Sequence, residues 1–181
     1  AVPLTAVPAG GTFSGTGVVG NTFVPATAGV GGPYTIYYTY TNAFGCAVTV
    51  SDTVSVYQTP AVSVVIPPAA MCITASPITL SATPAGGVFS GAGVSTNTFN
   101  PAIAGAGNAL ITYTYTDLHG CVNSDNATIV VNPLPVLNFV NVPNSICTNA
   151  SPMPLNANPA GGLFSGTGVV NSTFDPAGLA I

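Results

Sequence analysis

The chain repeats itself. Pro84 to Pro101 (PAGGVFSGAGVSTNTFNP) returns as Pro159 to Pro176 (PAGGLFSGTGVVNSTFDP), identical at 12 of 18 positions. A third copy, Pro8 to Pro25 (PAGGTFSGTGVVGNTFVP), precedes both and matches the last at 14 of 18. Self-similarity at a fixed period, here about 75 residues, defines the structural unit before any single side chain is interpreted. The period continues outside the block: Tyr38-Thr39-Tyr40-Thr41 recurs as Tyr113-Thr114-Tyr115-Thr116, Gly45-Cys46 as Gly120-Cys121, and Cys72 as Cys147. The first copy of the block lies slightly further from the second than the second from the third, and a single deletion near Gly32 accounts for the difference. The chain therefore divides into residues 1–60, a module lacking its first strand; 61–135, a complete module; and 136–181, the N-terminal part of a third. Ala1 is equivalent to Pro77, and neither end coincides with a module boundary. The incomplete ends overlap rather than complement each other, so the expectation is a window on a longer array.

Composition excludes several functions. There is no Lys, Arg or Glu, only Asp52, Asp117, Asp125 and Asp175, for a formal charge of −4 with His119 neutral. Nucleic-acid binding is built on cations set against phosphate, and this chain has none. Anionic lipid surfaces are disfavoured for the same reason, an intramolecular Lys–Asn bond is impossible, and trypsin-like proteases find no site. Pro, Gly, Asn and Thr interrupt every apolar run well short of the roughly 18 residues that a spanning helix needs, so membrane insertion is not expected. With 48% hydrophobic residues the chain is unlike a disordered one, which combines low hydrophobicity with high net charge. A chain with only 2% charged residues is prone to associate with its own copies.

The local patterns are those of strands. Ile111 to Thr116 alternates apolar and hydroxyl residues, placing Ile111, Tyr113 and Tyr115 on one face and three threonines on the other. Asp117-Leu118-His119-Gly120 reads as a turn and Ala127 to Val131 as the returning strand. Val62 to Ile66, Ile78 to Ala82, Val88 to Phe89 and Thr98 to Phe99 are shorter strand candidates between Pro, Gly and Asn. No stretch has a helical period. The expected fold is all-β, in tandem immunoglobulin-like antiparallel sandwiches of about 75 residues, with Phe89 and Phe99 in the core.

Two cysteines occur per period, so that Cys46, Cys72, Cys121 and Cys147 follow one another at alternating short and long spacings. Pairing Cys46 with Cys72 uses every cysteine; pairing Cys72 with Cys121 leaves Cys46 and Cys147 to partners outside the window. Equivalent ends of successive modules lie a full module apart, whereas a disulfide needs Cα atoms within about 7 Å. The expectation is Cys72–Cys121 inside the second module, which implies an oxidising, extracytosolic compartment.

Catalytic chemistry has little to work with. His119 is the only histidine, and Phe44 stands at its place in the first module, so it reads as a solvated turn residue. The four Asp are scattered without a calcium-loop spacing, no CxxC is present, and Gly91-Ala92-Gly93 opens no helix, so it is not a phosphate loop. No catalytic residue, cofactor site or metal site is assigned, and an enzyme is not expected. Asn126, Asn149 and Asn171 open N-glycosylation triplets of the kind that arise by chance in a Ser-, Thr- and Asn-rich chain.

The module resembles the tandem Ig-like repeats of giant secreted Bacteroidota surface proteins. The residues that carry the resemblance are Cys147-Thr148-Asn149-Ala150-Ser151-Pro152, the Gly-Gly-x-Phe-Ser-Gly-x-Gly-Val block, the Tyr-Thr-Tyr-Thr strand and the Gly-Cys turn. It spans nearly the whole chain. It implies type IX export, attachment at the cell surface, and adhesion or gliding of the kind served by large SprB-like adhesins. Asp52-Thr53-Val54 matches the short Asp-Ser/Thr-aliphatic O-glycosylation pattern of that group, which makes Thr53 a candidate acceptor. The functional expectation is a structural component of an extracellular filament or surface stalk, with copies of itself as partners. The alternative is an adhesin module that binds surface glycans or proteins, gliding adhesins included.

Overall fold

The computed structural model describes residues 1–66 and 68–179. Its organising element in the second module is a long hairpin. Strands Gly107–Thr116 and Val122–Asn132 pair antiparallel in unbroken register from Gly107 opposite Val131 to Thr116 opposite Val122. The alternation read from the sequence sets its faces: Ala109, Ile111 and Tyr113 are buried while Leu110 is exposed. The turn closes on Asp117, whose Oδ1 accepts the backbone N–H groups of His119 (2.9 Å) and Cys121 (2.8 Å). A short Asp side chain that mimics a backbone turn explains why this residue stands there. Asn42 does the same in the first module, accepting from Phe44 and Cys46, both at 3.0 Å.

The hairpin sits in a four-stranded sheet. Val88–Ser90 pairs antiparallel with Gly107–Thr116 on one side, and Ala70–Cys72 runs parallel to the end of Val122–Asn132 on the other. A three-stranded sheet of Val94–Ser95, Thr98–Phe99 and Ile78–Thr79 faces it, and Ser63–Val65 pairs with Ser81–Thr83. Leu80, Phe99, Ala109, Ile111, Ile129 and Val131 form the buried core between them, with Ile66, Met71 and Ile73 packed against it. Each fully buried large side chain contributes about 1.5–3 kcal/mol relative to exposure. The fold is all-β, in several small and mostly antiparallel sheets. The strands expected from the sequence are found except that Ile78 to Ala82 is not one strand: it breaks at Leu80 into Ile78–Thr79 and Ser81–Thr83, which pair in different sheets, and the two strands of the hairpin run longer than their local patterns indicate.

Tyr113 joins the start of the repeat block to the hairpin. Its ring lies beside that of Phe89, centroids 4.6 Å apart, and its hydroxyl donates to the Pro84 carbonyl (2.7 Å) while accepting the Gly87 N–H (2.6 Å). Tyr38 repeats the arrangement in the first module, donating to the Pro8 carbonyl and accepting from Gly11 N–H at 2.8 Å. The change of period near Gly32 is a β-bulge. Gly31 faces Val56 and Tyr34 faces Val54, so the first module fits two residues where the partner strand has one. In the second module Gly107 to Ala109 run opposite Val131 to Ile129 without interruption.

Single-turn helices at Pro25–Ala28 and Pro101–Ala104 were not expected from the sequence. Proline at the first helical position is the signal in both, and a preceding Asn adds to it in the second. The Asn100 side chain accepts from the Ala102 N–H at 3.0 Å. Asn100→Ala is expected to lower the stability of the second module by about 1 kcal/mol, read as faster amide exchange across residues 98–105; Val24 offers no such cap in the first module.

The first and third modules contain open grooves where the second has a closed core. One is lined by Leu4, Phe13, Phe23, Ile36 and Val54, the other by Phe139, Ile146, Met153, Leu155, Phe164 and Phe174. In the second module Ile66, Met71 and Ile73 occupy the place of the first groove. The third lacks a hairpin of the Gly107–Asn132 kind within its described residues. Leu4, Phe23, Ile36 and Val54 of the first groove stand at the repeat positions of the core residues Leu80, Phe99, Ile111 and Ile129.

Candidate functional site at the junction between modules

The chemistry-bearing residues of this chain gather at the two ends of the module. Val56 ends the long strand of the first module, and Tyr57 then lays its ring on His119 in the turn of the second, centroids 3.6 Å apart and planes 16° from parallel. Three residues further on, the Pro60 carbonyl accepts from Asn123 Nδ2 (2.8 Å), and the Val64 N–H donates to Asp125 Oδ2 (2.9 Å). The chain thus arrives at the end of the second module that carries the turn. It leaves from Asn132, at the other end of the same strand. Stacking a ring on a ring and tying the incoming backbone to two side chains gives the junction a defined direction.

His119 is therefore more than the solvated turn residue expected: 47% of its side chain is exposed, and one face is covered by Tyr57. Its Nδ1 lies 3.9 Å from Asp117 Oδ2. Phe44, at the same place in the first module, is 92% exposed. Two flat rings at one repeat position were the available signal for a stacking site.

The cysteine pairing expected from the sequence needs correction. Cys72 stands opposite Asn132 on the parallel strand pair, and the Ile73 N–H donates to the Asn132 carbonyl at 2.9 Å. Cys121 immediately precedes Val122, at the opposite end of that strand. Eleven residues at about 3.3 Å each separate the two by roughly 35 Å, far beyond disulfide reach. Cys46 and Cys72 are further apart still, at the turn end of one module and the exit end of the next. All four thiols are free, with Cys121 half-buried and the other three exposed. A Cys72–Cys121 bond needs Cys72 near the turn, which the parallel pairing of Ala70–Cys72 with Val130–Asn132 rules out.

Thr53 is exposed on the Ala47–Val56 strand, with its N–H donating to Asp52 Oδ1 at 2.7 Å. Its counterpart Thr128 is exposed in the complete module as well, so closing the core leaves this face open. Of the four acidic residues, Asp117 closes its turn as described and Asp175 accepts from the Ala177 N–H at 3.0 Å, while Asp52 and Asp125 lie within strands. Among the described residues no three His, Cys, Asp or Glu side chains gather into a cation-sized group, and no helix is long and apolar enough to cross a membrane. No protein-family model matches the chain, and no curated protein matches it.

Proposed function

We propose that the chain is a structural component of an extracellular filament or surface stalk, in which tandem immunoglobulin-like modules set length and stiffness. The observation that carries this reading is the placement of the two junctions at opposite ends of the long strand. The chain comes in at the Asp117–Cys121 turn and goes out at Asn132, so successive modules add length instead of folding back on one another. The absence of Lys and Arg suits a fibre exposed to trypsin-like proteases, and the near absence of charge favours lateral association of copies.

Cryo-electron microscopy of the assembled protein tests this. Expected are ordered fibres with an axial repeat of roughly 40 Å per module, the length of an eleven-residue strand plus its linker. Separate flexible strings without lateral order would overturn self-assembly and favour the stalk of an adhesin that reaches surface glycans or proteins elsewhere. Compact particles would overturn both.

A further inference from the structure

The geometry points to a disulfide between consecutive modules, formed by the thiol at the Cys72 position of one module and the thiol at the Cys121 position of the next. Three observations converge on it. First, Cys72 is paired with Asn132 at the exit end of its module. Second, Asn132 and Tyr57 occupy the same position of the repeat, so a cysteine at the Cys72 position of the first module would stand beside Tyr57. Third, Tyr57 is stacked on His119, only two residues from Cys121. A strand neighbour lies about 5 Å away and the stacked rings are in contact, which brings the two thiols to one side of the same junction.

Cys72 is exposed and Cys121 half-buried, as expected of thiols that face a neighbouring module and not their own core. The partner of Cys121 belongs five residues before the position of Ala1. The partner of Cys72 belongs to the Gly-Cys turn that would follow in the third module. Neither position lies within these 181 residues. The alternating short and long spacings thus conceal the pairing, because the proposed partners are separated by one whole module plus the stretch from Cys72 to Cys121.

The chemistry balances with an oxidant of the small-molecule disulfide class, such as oxidised glutathione. The two cysteine thiols give up two electrons and two protons and gain one S–S bond; the oxidant's S–S bond breaks and leaves as two thiols. The inference stands on junction geometry and holds for a filament or for an adhesin stalk alike, so it fails or survives independently of the functional reading.

The test compares the chain as it stands with a version in which residues 61–76 are repeated in front of Ala1, restoring a cysteine five residues upstream. Both are oxidised with glutathione disulfide at low protein concentration, alkylated, digested with pepsin and mapped by mass spectrometry. The expected result is no Cys72–Cys121 link in either protein and, in the lengthened one, a link between the added cysteine and Cys121 in most of the monomer. Cys121→Ser should return the added cysteine to full alkylation. A Cys72–Cys121 link, or an added cysteine that stays alkylatable while the hairpin keeps slow amide exchange, overturns the inference. A second measurement does not depend on the added segment. With Cys46 and Cys147 replaced by Ser, nitroxide labels on Cys72 and Cys121 should lie about 35 Å apart, and a distance under about 20 Å would overturn the arrangement.

Discussion

Tyr113→Ala is expected to lower the stability of the second module by about 3–5 kcal/mol, the range for truncating a buried aromatic. Tyr113 is 2% exposed, so the full ring volume becomes a cavity between Phe89 and the hairpin. The substitution also strips the half-buried Pro84 carbonyl and Gly87 N–H of their shared partner, which adds to the loss by up to the about 1–3 kcal/mol of a fully buried unpaired group. Tyr113→Phe separates the two contributions. It keeps the ring and removes only the hydroxyl, so a loss of about 1–3 kcal/mol is expected. Because neighbouring modules make a single global transition unsafe, the measurement is amide exchange of the Gly107–Asn132 hairpin in the full chain. Equal exchange rates in Tyr113→Phe and the parent would show that the hydroxyl contributes nothing. The Tyr38 counterpart should respond less, since that residue is 7% exposed beside an open groove.

The hairpin was legible because its information is local. Alternation over Ile111–Thr116 and the Asp-Leu-His-Gly turn specify pairing between residues that are close in sequence. The repeat block likewise announced its own length. The parallel pairing of Ala70–Cys72 with Val130–Asn132 joins segments near opposite ends of the module sequence, and no periodicity in so short a strand reveals it. That one contact decides which end of the module Cys72 occupies, and hence why the intramodular disulfide was the wrong expectation. The stacking of Tyr57 on His119 was hidden for the same reason, although the rings at residues 44 and 119 marked the position. The four-residue helices escaped because they barely exceed one helical turn of about 3.6 residues, even though Asn100-Pro101 carries cap and first-turn residues in plain sequence. The pattern is consistent: what depends on neighbours in the chain can be read, and what depends on the path of the chain between the two ends of a module cannot.

Gly91→Ala is the second substitution with a large expected effect. Gly91 has φ +141°, and a Cβ there would collide with the Leu110 carbonyl oxygen. The obstacle is backbone in the middle of a paired strand, so it cannot rotate aside as a flexible side chain would. Relief requires Val88–Ser90 to move away from Gly107–Thr116, which breaks the pairing that sets Phe89 against Tyr113. Backbone strain of this kind costs about 1–3 kcal/mol, and the lost strand pairing adds to it, so a total loss of about 2–4 kcal/mol is expected. The chain carries its own control. Gly15 repeats the crowding, its Cβ falling 2.5 Å from the Thr35 carbonyl oxygen, whereas Gly166, at φ +150°, has only Val169 Cγ2 at 3.7 Å. Gly15→Ala should therefore resemble Gly91→Ala, and Gly166→Ala should cost only the strain of its backbone angle. Amide exchange of the peptides spanning residues 12–15, 88–91 and 163–166 reads all three. Equal effects at the three positions would mean that conformational strain alone keeps glycine at this point of the repeat, and that the close approach of the hairpin strand plays no part.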